Sequence, residues 1–116
     1  MKSEHLIHGD LNLGNVLEYN NELTVIDWTN GQQGDPRYDI AWSVFLLQIY
    51  NGESFASFYR KSFIDLFTNS ELEAFEAIAC IRWILLHRSV GLSKEAETLR
   101  RVRGILQKKH LSENLL

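Results

Sequence analysis

His8-Gly9-Asp10-Leu11-Asn12-Leu13-Gly14-Asn15 opens the decisive part of this sequence, and Val25-Ile26-Asp27-Trp28 and Asp35-Pro36-Arg37-Tyr38-Asp39 follow it in order. Gly9 and Gly14 permit sharp backbone turns on either side of Asp10, where bulkier residues would displace the carboxylate. Leu6-Ile7-His8 is a short apolar approach to this loop. Downstream, Asn15-Val16-Leu17-Glu18-Tyr19 and Glu22-Leu23-Thr24-Val25-Ile26 read as strands separated by Asn20-Asn21. Asparagine tolerates left-handed backbone angles, so a hairpin turn is expected there. Residues 28–35, with Gly31 and Gly34, read as a loop.

Helices account for the rest. Asp35 is placed to cap a helix that opens with Pro36, whose missing N–H costs nothing at the first helical position, and this helix is expected to run to about Tyr50. Asn51-Gly52 ends it. Glu53 to Phe67 carries Phe55, Phe58, Tyr59, Phe63, Leu66 and Phe67 at helical spacing, which predicts a second helix. Ser70, with Glu73 three residues on, forms a capping-box pattern for a third helix that stops before Gly91. Its Ile78-to-Leu86 half is apolar almost all round, which predicts burial on several sides. A last helix from about Ser93 to His110 would face Leu99, Val102 and Ile105 or Leu106 inward and its basic residues outward.

Length and composition bound the class. With 116 residues, 45% hydrophobic and 23% charged, the chain has an ordinary globular composition, which excludes collagen-like, low-complexity and wholly disordered readings. No repeat or linker divides it, so one domain spanning 1–116 is expected. A single cysteine, Cys80, excludes an internal disulfide framework. No apolar run is long enough for a signal peptide or a membrane span, and a cytoplasmic location is expected. The net charge of −3 is uneven. Residues 1–60 carry 8 acids and 3 bases, and 61–116 carry 7 acids and 9 bases, so a cation site belongs to the first half.

The spacing of the opening stretch is that of a phosphoryl-transfer loop. Kinase catalytic loops place an Asp, and five residues later an Asn, on one tight turn; the Asp meets the substrate hydroxyl and the Asn holds Mg²⁺. Asp10 and Asn15 have this separation, and Asp27, at the end of a strand after a hairpin, is placed as the second metal-binding group. Phosphoryl transfer crowds negative charge onto oxygens, and hard oxygen ligands must fix cations beside them without neutralising those cations completely. One Asp and one Asn strike that balance.

Over roughly residues 5–45 the chain resembles the aminoglycoside phosphotransferase and choline kinase group, small-molecule relatives of the protein kinases. His-Gly-Asp stands where protein kinases have His-Arg-Asp, and Ile-Asp-Trp where they have Asp-Phe-Gly. The resemblance implies Asp10 as catalytic base, Asn15 and Asp27 as Mg²⁺ and nucleotide ligands, ATP as phosphoryl donor and a small-molecule hydroxyl as acceptor. It also implies that Asp39, the second Asp of Asp-Pro-x-x-Asp, buttresses the catalytic loop. His8 is expected to support the loop structurally. Asn12-Leu13 departs from the His-Pro that many members carry. No glycine-rich phosphate loop and no strand lysine appear in the sequence. The implied fold is therefore α+β, mainly helical: the C-terminal lobe of a protein-kinase-like fold, with a catalytic-loop hairpin packed on about four helices and the N-terminal nucleotide lobe missing or separately encoded.

Other readings compete. His5, His8, Asp10 and Asp27 are adequate ligands for Zn²⁺ or Mn²⁺ in a metal-dependent hydrolase. A remnant lobe surviving as an interaction module is the non-catalytic alternative, and apolar surface left by the missing lobe predicts self-association. Trp28, Trp42 and Trp83 are candidates for an aromatic cage around a quaternary ammonium, with core packing the better reading for Trp42 and Trp83. Glu53, Asp65, Glu71, Glu73 and Glu76 read as exposed helix faces. Arg100, Arg101, Arg103, Lys108 and Lys109 lack interleaved aromatics in a net acidic chain, which argues against nucleic acid. Cys80 is expected to be buried and inert.

Overall fold

The computed structural model describes residues 5–90 and 95–116. Strand β1 (His5–Ile7) leads into the loop at residues 8–15; β2 (Val16–Tyr19) and β3 (Glu22–Val25) form a hairpin; β4 (Gln32–Gly34) precedes helices α1 (Pro36–Tyr50), α2 (Glu53–Lys61), α3 (Asn69–Val90) and α4 (Ala96–Lys108). The described part is mainly helical, with two small antiparallel sheets, β1–β4 and β2–β3. Between β2 and β3, Asn20 and Asn21 adopt φ of 51° and 64°, the left-handed geometry a two-residue hairpin turn requires.

The expected loop at 28–35 is corrected. Its first part is a 3-10 turn, Trp28–Asn30, and its second is β4, paired to β1 in the register His5↔Gly34, Leu6↔Gln33, Ile7↔Gln32. Gln32 and Gln33 carry no strand signal of their own. They become a strand because β1 needs a partner and Ile7, 4% exposed, packs over Gly34, where a Cβ would collide with its side chain.

Helix α1 matches its expected bounds. The Asp35 carboxylate accepts the Arg37 N–H, and Gly52 at φ 99° follows the terminus at Asn51. Three corrections follow. Helix α2 stops at Lys61 rather than near Phe67, although Phe63 and Phe67 still pack with Tyr59 against Ile40, Val44 and Leu72. Helix α3 begins at Asn69, and the Glu71 N–H is capped by the Thr68 hydroxyl, so Thr68 and Glu71 supply the capping pattern assigned to Ser70 and Glu73. The second half of α3 is buried on one side only: Ala79, Cys80, Trp83 and Ile84 are buried, while Ile78, Leu85 and Leu86 are exposed. Helix α4 begins at Ala96; the expected start at Ser93 lies outside the described residues.

The main core joins three helices. Trp42, Phe45 and Ile49 of α1 meet Ala79, Cys80, Trp83 and Ile84 of α3 and Val102, Ile105 and Leu106 of α4. Thus Trp42 and Trp83 do pack in the core, as expected, and Cys80 is fully buried there. Burial pushes the Cys80 thiol up to about 11, which keeps it protonated and unreactive at neutral pH. Glu76 is a further correction. It is 4% exposed rather than solvated, and it is held by Arg60 at 2.6 Å and Lys109 at 3.9 Å.

Candidate active site

The loop from His8 to Asn15 leaves β1 and is held from below by one face of α1. Gly9 takes φ 85°, and a Cβ there would run into the backbone and side chain of Asn30, so both the turn and the close approach demand glycine. Gly14 has no left-handed geometry, and an added Cβ would meet only the Asn12 Oδ1 at 2.9 Å. Its share in shaping the loop is the smaller.

The Asp39 carboxylate accepts two backbone N–H groups, from His8 at 2.7 Å and from Gly9 at 2.9 Å. One turn along α1, the Ser43 hydroxyl donates to the Leu11 carbonyl at 2.8 Å. His8 is buried and its ring is fully employed. The Asp10 N–H donates to Nδ1 at 3.1 Å, so Nε2 carries the proton and donates to the Ile26 carbonyl at 2.7 Å. The imidazole therefore ties the start of the loop to the end of β3, one residue before Asp27.

Asp10 is half-buried, and its two oxygens differ. Oδ1 accepts Trp42 Nε1–H at 2.9 Å and the Asn12 amide at 3.3 Å, whereas Oδ2 accepts no hydrogen bond from the described residues. Asn15 is anchored to the same loop: its Nδ2 donates to the Asp10 carbonyl at 2.9 Å, and its own carbonyl accepts the Ile26 N–H at 2.8 Å. With the amide nitrogen committed, Asn15 Oδ1 is left as a hard oxygen donor. Asp27 is exposed and left-handed at φ 58°. Its Oδ1 accepts the Thr29 hydroxyl at 2.6 Å, and Oδ2 has no hydrogen-bond partner among the described residues. Asn15 and Asp27 thus reach adjoining segments through the Asn15–Ile26 bond, each with one uncommitted oxygen.

The hydrolase ligand set does not assemble. Among the described residues no three His, Cys, Asp or Glu side chains gather around one point, and both nitrogens of His8 are already bonded within the protein. The three tryptophans form no cage: Trp42 and Trp83 are buried, while Trp28 is 47% exposed and lies 4.7 Å from the His8 ring. A cavity of about 890 Å³ lies between the helices and is lined by Gln48, Arg60, Glu76 and Lys109, with none of Asp10, Asn15 or Asp27. A second, of about 590 Å³, is an apolar cleft between the hairpin and α1, lined by Leu11, Leu13, Val16, Leu23, Leu47 and Tyr50.

Sequence reasoning missed Trp42 and Ser43 as site residues. Both follow Asp39 by one helical turn, at i+3 and i+4, and therefore share its face; that spacing was the available signal. No curated protein and no solved structure matches the chain. A model of the phosphotransferase enzyme family does match, over residues 2–77, a segment that contains the whole loop, Asp27, Asp39 and the α1 face that holds them. The match spans more than half of the sequence, and the chain belongs to the phosphotransferase enzyme family.

Proposed function

We propose that this chain carries the catalytic loop of an ATP-dependent phosphotransferase that acts on a hydroxyl of a small molecule, within the C-terminal lobe of a protein-kinase-like fold. Family membership supports the reaction type. The observation that carries the reading is the asymmetric Asp10 carboxylate, one oxygen held and the other open, on a loop to which the Asn15 amide is locked. Oδ2 of Asp10 accepts the proton of the substrate hydroxyl as its oxygen attacks the γ-phosphorus and the bond from that phosphorus to the bridging oxygen breaks, releasing ADP. Asn15 Oδ1 and Asp27 Oδ2 would hold Mg²⁺, whose charge, when bound, offsets that of the nucleotide phosphates; two uncommitted hard oxygens suit that ion. Asp39, Ser43 and His8 keep the loop in the geometry that aims Asp10.

The acceptor class stays broad: aminoglycoside, choline, another amino-alcohol or a sugar. The reading includes a nucleotide-binding lobe outside residues 1–116, missing from this sequence or separately encoded, and a cytoplasmic setting suited to the free thiol of Cys80. The apolar cleft beside the hairpin, and the exposed Leu17 and Leu23, support docking of that lobe or self-association in its absence. The test is γ-phosphoryl transfer by the purified chain, alone and combined with the polypeptide encoded immediately upstream. Negligible transfer is expected alone. In the combined system Asp10→Asn should lower turnover by roughly a thousandfold or more while the folded spectrum is kept. Near wild-type turnover by that variant removes Asp10 as the base.

A further inference from the structure

We infer that Trp42 and Arg82 are positioning residues for Asp10: the Trp42 indole N–H captures one carboxylate oxygen, and the Arg82 guanidinium stacked on the indole strengthens that capture. The other oxygen alone is thereby presented to substrate. This rests on Asp10 being the base proposed above.

A carboxylate has two equivalent oxygens, and a base that must meet a hydroxyl in one geometry loses effective alignment when they exchange freely. Trp42 is 4% exposed and owns a single donor, which it gives to Asp10 Oδ1 at 2.9 Å. The core thus reaches the base through one hydrogen bond. Arg82, on α3, lies with its Cζ 4.0 Å from the centre of the Trp42 ring and 5.3 Å from that of Tyr38. Its Nη1 is buried without a hydrogen-bond partner among the described residues. With that donor unpaired, Arg82 is held against two aromatic faces, those of Trp42 and Tyr38. A cation over the indole face draws electron density from the ring and makes its N–H a stronger donor. The charge therefore acts on the edge of the ring that faces Asp10. Arg82 lies beyond the segment, residues 2–77, that matches the family.

The test is nuclear magnetic resonance of the ¹⁵N-labelled chain, whose three tryptophans give three indole signals, with Trp42→Phe assigning one. The Trp42 N–H is expected to exchange at least about tenfold more slowly than that of exposed Trp28, and Asp10→Asn, which weakens its acceptor, should displace the Trp42 signal and speed its exchange. Arg82→Met keeps the stem and removes the charge; it should displace the Trp42 signal and speed its exchange about tenfold, with partial recovery in Arg82→Lys. A merely structural Arg82 would leave the Trp42 indole signal and its exchange unchanged in Arg82→Met, and that result overturns the inference. Should Arg82→Met fail to fold, Arg82→Gln, which also removes the charge, carries the test, and a Trp42 signal identical to wild type in that variant overturns it. In the combined enzyme Trp42→Phe should lower kcat about tenfold with KM for ATP unchanged. Lost coupling with undiminished Asp10-dependent transfer overturns the positioning role alone. Intact coupling with an active Asp10→Asn enzyme overturns the base assignment and this inference with it.

Discussion

The His8–Asn15 loop and the helical core lie on either side of α1 and are held by opposite means. On one side, residues 8–15 bury little apolar surface and are fixed by directed hydrogen bonds from Asp39, Trp42 and Ser43. On the other, Phe45 and Ile49 disappear into an apolar cluster with α3 and α4. Burial is non-directional and tolerates small shifts, whereas a hydrogen bond weakens steeply with distance and angle. The molecule thus uses burial to fix α1 and uses α1 to fix the loop. Stability resides in the first set of contacts and alignment in the second.

That division can be broken from the core side with the largest effect. Phe45→Ala should destabilise the chain by about 3–5 kcal/mol, and urea unfolding followed at the helices and at the loop should show both losing structure together. Independent transitions would refute the dependence of the loop on α1. A smaller effect is expected from the loop side. Asp39→Ala strands the N–H groups of His8 and Gly9 and should cost about 1–3 kcal/mol, with faster amide exchange over residues 8–15 and unchanged protection in α3. Uniform loss of protection would place Asp39 in the global core instead.

The junction between the two sides offers a pH test. Hydrogen bonds from the Arg37 side chain hold the Asp35 carboxyl below its ordinary value of 3.8, although partial burial opposes them. A depressed folded value stabilises the native state above the unfolded value, and that contribution disappears as the pH falls through the folded one. The urea midpoint of the wild type should therefore drop as the pH passes below about 3.8, and Asp35→Asn should flatten the drop. An equally steep decline in the variant would show that other carboxylates govern it. The smallest effect concerns Cys80: with its thiol pushed up to about 11 by burial, it should resist alkylation at pH 8 in the native chain and react at once in urea. Prompt native labelling would show that the core opens readily.

Local chemistry made several elements legible. Asp35-Pro36 presets both the cap and the first dihedral of α1, and Asn20-Asn21 presets the hairpin turn. The order of Asp10, Asn15, Asp27 and Asp39 along the chain pointed to the phosphotransferase family, whose model matches the segment that contains all four. Helix α2 was overextended because Phe63 and Phe67 keep helical spacing while reaching the second apolar cluster from a turn. Glu76 was misread because its cationic partners, sixteen residues before it and thirty-three after, are invisible to helical periodicity.

By itself the sequence determined where the chain turns, where α1 begins and which polar residues share the loop at 8–15, since each depends on a few neighbouring residues and their backbone preferences. Only the tertiary structure decided that Gln32–Gly34 is a strand, that the His8 ring bridges loop and hairpin, and that Trp42 touches Asp10 with Arg82 stacked on it. Those contacts join residues more than fifteen positions apart, and their geometry exists only once burial has brought the helices together.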